Sequence, residues 1–309
     1  MTNVKDSPPL SEYLLLLLLA ALWGGSFTLI KVALEGFPPA TIVTVRIALG
    51  GLILLVFASL RRDKFPKNGL RWLELFIQGV LQGALPFFLI TWGEKFVDSS
   101  VAGIINSTPP MFVFLITVFV LHTAKFDMLK LVGIIFGMLG VALIAYSQVD
   151  GFTENNLWAV LAVLGASCSY ACGAIFGKRF GDQSVFVTAS VSLLLAALLV
   201  APFAYFLEDP FSIEPALRPA AALAALTLFS TALASLIFFR LIKTLGPLAT
   251  TSNAYLRALF SILFGVAFLS EPLSLSIVAA TLFIFMGVFM VTGKFRDFID
   301  SYIGKRGNK

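Results

Sequence analysis

The sequence predicts an all-α polytopic membrane protein: ten transmembrane helices arranged as two inverted five-helix repeats. Three observations carry this expectation. The 309-residue chain is 59% hydrophobic and 13% charged, with a mean hydropathy of +0.95. That is about half the charge of a soluble domain, too little to cover a water-facing surface. Its apolar residues gather in ten runs, each close to the roughly 20 residues needed to cross a bilayer. Sliding the chain by 147 residues also lays Lys31 on Lys178, Thr41 on Thr188, Asn106 on Asn253, Phe136 on Phe283 and Gly140-Val141 on Gly287-Val288.

The first run, 11–34, follows Lys5 as a signal peptide would. It is too long for a cleaved apolar region and reads as a retained first span. Pro38-Pro39 opens the second, 38–60, and Pro66-Lys67-Asn68-Gly69 turns the chain into the third, 70–93, where Trp72 marks an interface. The fourth, 97–121, contains Thr108-Pro109-Pro110, which interrupts its backbone ladder. The freed carbonyls there serve a ligand or a hinge, or the prolines make a plain kink. In the fifth, 127–148, Gly133, Gly137 and Gly140, repeated in part as Gly287, provide close helix packing or a homodimer face. Asp150-Gly151 then separates the halves.

The sixth run, 155–179, begins near a second interfacial tryptophan, Trp158, and places Cys168 and Cys172 on one helix face. That spacing is geometrically poor for a disulfide. His122 is the single histidine and there is no CxxC pair, which argues against a structural metal site. Runs at 184–206, 217–243, 246–270 and 272–293 complete the set, divided by Asp209-Pro210, Pro215, Gly246-Pro247 and Glu271-Pro272. The expected organisation is a cytoplasmic tail 1–10, a first repeat 11–149, a second repeat 150–294 and a basic cytoplasmic tail 295–309.

Charge sets the orientation. With the N-terminus in the cytoplasm, 17 of the 22 Lys and Arg residues fall on the inner side, and only Lys95 and Arg218 on the outer. The outer loops carry Asp150, Glu154, Glu208, Asp209 and Glu214 instead. This is the positive-inside asymmetry of a plasma (inner) membrane protein. Five spans per repeat is an odd number, so the second half enters the membrane inverted. Secondary transporters built this way bind their solute where the halves meet.

The stretch "ALWGGSFTLIKVALEGFPPATIVTVRIALGGLILLVFA" resembles the first two spans of EamA-type proteins of the drug/metabolite transporter superfamily. Ala102 to Ile144, with "GMLGVALIA" near its end, and Ala249 to Thr292, with Ser270-Glu271-Pro272-Leu273 and "FMGVFMVTG", resemble the fourth–fifth and ninth–tenth spans. The resemblance covers nearly the whole chain. It implies ten spans in two inverted halves around a central cavity, and carriage of amino acids, other small metabolites or nucleotide sugars. Two positions depart from the family pattern. His122-Thr123-Ala124 stands where a glutamate often follows the fourth span, and Leu256-Arg257 stands where a proline is common in the ninth.

Buried polar groups inside an apolar bundle are the site candidates. An arginine at the membrane centre costs about 2.5–3.5 kcal/mol on insertion scales, so Arg46 and Arg257 are expected to face the bundle or a water-filled cavity. Either could hold an anionic group with its planar fork of donors. For Arg46 the resemblance favours a structural role, reaching outward to Glu35, Asp98 or backbone carbonyls. Lys31 and Lys178, near span ends, read as snorkelling end markers, with a gate pair to Glu35 or Asp182 as the other reading. Gln78 and Gln82 share a helix face, and Asn106 and Asn253 are repeat mates. These amides either line a cavity or bond helix to helix. Trp23 and Tyr170, also repeat mates, either wall the cavity or pack. Substrate-binding candidates are thus Trp23, Gln78, Gln82, Asn106, Tyr170, Asn253 and Arg257. Structural or gating candidates are Lys31, Arg46, Pro109, Pro110 and Lys178.

No GxxxxGK[ST] loop is present, so ATP is not expected to drive a cycle. No nucleophile–base pair or metal cluster suggests an enzyme. The scattered cations form no nucleic-acid patch, and nothing implies a cofactor. No carboxylate lies mid-span, Glu12, Glu74, Glu94 and Asp98 being near ends, so facilitated exchange stands level with proton coupling. The expected function is a secondary transporter, an exporter, of small polar metabolites such as amino acids. The alternatives are a carrier for nucleotide- or lipid-linked sugars and a membrane sensor without transport.

Overall fold

The computed structural model describes residues 9–147, 154–244 and 253–291. The two predicted tails, Asp150-Gly151 and Gly246-Pro247 lie outside the described residues, apart from Pro9 and Leu10. Among the described residues ten helical rods run in order. They are α1 (Leu10–Ala33), α2 (Pro39–Leu60), α3 (Gly69–Gly93), α4 (Ser99–Val120), α5 (Met128–Ser147), α6 (Glu154–Phe180) and α7 (Val185–Glu208). α8 joins Leu217–Ala225, Leu226–Leu233 and Ala234–Thr244, and α9 (Asn253–Leu269) and α10 (Leu275–Val291) follow. By length and composition seven rods can cross a membrane: α1 to α4 and α6 to α8. The apolar described stretches of α5, α9 and α10 are shorter, 10–17 residues. Large apolar side chains such as Leu198, Phe206 and Leu282 stay on the outside of the bundle, which suits lipid rather than water.

The helix starts follow from local chemistry. α2 begins at Pro39, where the missing N–H costs nothing. Its next two N–H groups donate to the Glu208 carboxylate at the end of α7, Ala40 N at 2.9 Å and Thr41 N at 2.7 Å. α4 begins at Ser99, whose N–H donates to Glu271 at 2.7 Å, with Ser100 N at 3.0 Å. In both cases an anion from the other half of the chain sits on the positive end of a helix.

Packing follows the repeat. Among the broadest pairings are α5 with α10, α2 with α7, α1 with α9 and α3 with α6. Exchange of repeat mates leaves α5–α10 and α2–α7 unchanged, carries α1–α9 to α6–α4, and carries α3–α6 to α8–α1; all of these are packed pairs. Phe136 and Phe283, repeat mates in sequence, stack on one another with ring centroids 5.8 Å apart. The π-helical segments Val80–Ala84 in α3 and Leu226–Leu233 in α8 also correspond under the 147-residue shift.

The glycine row of α5 is used inside the chain. A Cβ on Gly133 would meet the Gly287 carbonyl oxygen at 2.7 Å, and one on Gly140 the Ala280 oxygen at 2.8 Å. These residues let α5 lie against α10 rather than offering a free face. The cysteines are free thiols, as their spacing implies.

Candidate functional site

The prolines of α4 set up the centre of the bundle. Helical continuation would require residues 109 and 110 to donate N–H groups to the carbonyls of Ile105 and Asn106, and proline has none. α4 therefore stops at Ile105 and restarts at Pro109. The Ile105 oxygen accepts from the Thr108 amide at 3.1 Å and from its hydroxyl at 2.8 Å. The Asn106 oxygen accepts from Arg257 Nη2 of α9 at 2.6 Å. The break thus supplies the acceptor for a guanidinium from the other half. Gly24 makes the approach on the far side possible, since a Cβ there would meet Phe260 Cβ at 2.5 Å and the Arg257 carbonyl oxygen at 2.7 Å.

Arg46 reaches the same region from α2. It is 6% exposed, its Nε donates to Thr231 Oγ1 at 2.8 Å, and its guanidinium carbon lies 4.0 Å from the Phe87 ring centroid. Gly50, one turn on, lets the π segment of α8 come close enough, as a Cβ there would meet Thr231 Cγ2 at 2.6 Å. The Phe87 ring packs edge-on against Tyr170 at 6.5 Å, and the Tyr170 phenol lies in the field of both Arg46 and Arg257. The partners expected for Arg46 were Glu35, Asp98 or backbone carbonyls; it takes a hydroxyl and an aromatic face instead, and Glu35 pairs with Arg218 at 3.4 Å.

Neither arginine has a carboxylate within 4.0 Å among the described residues, and the buried Nε of Arg257 has no acceptor. Two cations, from α2 and α9, thus have no carboxylate in ion-pair contact among the described residues, and the Tyr170 phenol of α6 lies in the field of both. A guanidinium with no carboxylate in contact is fitted to take an anion from a ligand.

The amides divide. Asn106 is at this centre, its side chain accepting from Ser167 Oγ at 3.4 Å. Gln82 donates to the Tyr170 carbonyl at 3.1 Å and fills the space over Gly173, while Gln78 lies over Gly177. Both therefore join α3 to α6. Asn253 donates to the Leu16 carbonyl at 3.3 Å, joining α9 to α1. Trp23 packs on Phe238 with ring centroids 5.4 Å apart.

Lys31 does not snorkel outward. Its Nζ donates to the carbonyls of Glu94 at 2.6 Å and Val97 at 2.8 Å, tying α1 to the end of α3. Its repeat mate Lys178 is exposed in the last turn of α6, and Asp182 pairs with Arg71 at 2.8 Å rather than with a lysine. Sequence reasoning missed one residue. Glu94 is fully buried, with neither carboxylate oxygen hydrogen-bonded. Its place one residue past α3 marked it as a loop carboxylate, and no periodicity signals otherwise.

The sequence matches the EamA-like transporter family twice, over 10–146 and 157–293, the two matches being offset by the same 147 residues as the repeat mates. It is 27% identical over 278 residues to the uncharacterized inner membrane transporter YedA of Escherichia coli (strain K12), covering 89% of this chain and 88% of that one. It is 28% identical over 293 residues to the uncharacterized transporter YvbV of Bacillus subtilis (strain 168), covering 94% of each. A solved crystal structure shares the fold with a TM-score of 0.64 at 18% identity, covering 91% of this chain and 97% of that one. With both halves of the chain matched in register, this protein is a multi-pass membrane protein that belongs to the EamA-like transporter family.

Proposed function

We propose that this chain is a secondary carrier for small polar solutes bearing a carboxylate, amino acids first among them. Its two repeats, 11–149 and 150–294, form ten spans of inverted topology with both termini cytoplasmic, and access to the centre alternates between the two sides. The single observation that carries the substrate class is the pair formed by buried Arg46 and half-buried Arg257, on opposite halves with no protein carboxylate in ion-pair contact among the described residues. Asn106 and Pro109-Pro110 hold Arg257 in place, and Phe87, edge-on to Tyr170, lies against Arg46. A carboxylate bound there gains charge-assisted hydrogen bonds that water supplies less well in a dry site.

The test is counterflow of labelled amino acids and other carboxylates into liposomes holding the purified protein. Wild type is expected to exchange at least one of them. Arg257→Ala is expected to weaken its apparent affinity about ten- to hundredfold, the equivalent of about 1.5–3 kcal/mol for hydrogen bonds to a charged group. Folded yield should stay close to wild type. No exchange across a broad panel would reject the carrier reading. Equal loss of yield and exchange in the variant would make Arg257 a structural residue.

A further inference from the structure

Glu94 is the buried ionisable group that the carboxylate site leaves unused. It is fully buried, and both carboxylate oxygens lack a hydrogen-bond partner. Lys31 is already engaged, because its Nζ is bound to two main-chain carbonyls, one of them that of Glu94 itself. The charged groups whose fields reach Glu94 are Lys31 from α1, Arg46 from α2 and Glu271 beyond α9. Asp98, close by in sequence, shares the fields of Lys31 and Glu271. Glu271 is committed to the first turn of α4 and adds negative charge. A carboxylate held dry, without donors and beside another carboxylate, is unstable as an anion and keeps a proton instead.

We infer that Glu94 is a proton-binding site coupled to the anion site, so that a carboxylate solute and a proton are bound and released together. Arg46 links the two. With no solute bound, the positive charge of Arg46 loosens the hold of Glu94 on its proton. A solute carboxylate on Arg46 offsets that charge, and Glu94 then holds its proton more tightly. Linkage makes the effect mutual: the protonated acid no longer competes for Arg46, and the solute binds more tightly. This inference rests on the carrier reading above and adds to it the coupling ion. The repeat mate of Glu94 is Leu241, itself fully buried, so only one half carries the group.

Two experiments separate the coupling from the carrier. Infrared difference spectra of purified protein at neutral pH should contain the carbonyl band of a protonated carboxylic acid, shifted in D2O and lost in Glu94→Gln, a neutral isostere of the protonated side chain. Absence of that band from wild type overturns the inference without need of the variant. In liposomes, a one-unit pH gradient should drive about tenfold accumulation of a solute that shows counterflow, for one proton per solute. Glu94→Gln should keep counterflow and lose accumulation. Counterflow that ignores the pH gradient, or responds to sodium in its place, overturns the coupling and leaves the carrier intact. No counterflow at all removes both the carrier and the coupling, and the infrared band alone then decides whether Glu94 holds a proton.

Discussion

At the scale of residues, the carboxyls at one end of the bundle carry the pH dependence. Burial pushes the Asp98 carboxyl above its ordinary range, with Glu271 adding to the effect and Lys31 opposing it. Burial pushes Glu94 the same way, against Lys31, with Glu271 again reinforcing it and Arg46 opposing it. Both groups hold a proton more tightly in the folded chain than in the unfolded one. The stability these two groups contribute is therefore fullest below the unfolded values near 3.8 and 4.5, and falls as pH rises from there toward the folded-state values. Thermal unfolding in detergent across that range should show Tm declining with pH, and Glu94→Gln should flatten the decline. A Tm that rises with pH through this window, in wild type, would contradict the burial of both groups.

At the scale of elements, helix contacts depend on where glycine faces backbone and where it faces a pliable side chain. A Cβ on Gly133 or Gly140 would press on carbonyl oxygens of α10, which can move only by separating the helices. A Cβ on Gly137 would instead meet the end of the Met111 side chain, which can change rotamer. Gly133→Ala and Gly140→Ala are expected to cost about 1–3 kcal/mol each, the usual penalty for overpacking. Gly137→Ala should cost less than either. Chemical denaturation of the three variants in one detergent checks the order. α4 shows the complementary device, since two prolines and a carboxylate cap fix a break and a start that apolar packing alone does not specify.

At the scale of the whole molecule, the two ends of the bundle differ. At one, Lys31 holds α1 to the end of α3, Glu271 caps α4 and Glu208 caps α2. At the other, Glu12 pairs with Arg240 at 2.7 Å, Arg71 with Asp182 at 2.8 Å, and Ser184 donates to Asp63 at 2.5 Å. The proposed topology puts the first end outside the cell and the second in the cytoplasm. Single cysteines replacing Glu35 and Phe211 should react with a membrane-impermeant maleimide on intact cells. Those replacing Phe65 and Asp182 should react only after the membrane is opened. Labelling of all four from outside would overturn the inverted arrangement.

Much of this was legible from the chain. Apolar run length, turn residues and the 147-residue repeat identified the helices, the two halves and α4's interruption, because a bilayer leaves a sequence few other ways to satisfy its backbone. The prolines at 109 and 110 signalled that backbone carbonyls in α4 would be left without their helical donors. Partner choice was not legible. Lys31 could have reached water, Arg46 could have met a loop carboxylate, and the glycines of α5 could have faced a second chain. Each outcome turns on which helices pack at which depth, and residues up to 237 apart in sequence meet here. Burial of Glu94 is likewise a property of the assembled bundle. Its neighbours in sequence mark a helix end, and the charges of Lys31, Arg46 and Glu271 reach it only in the folded chain.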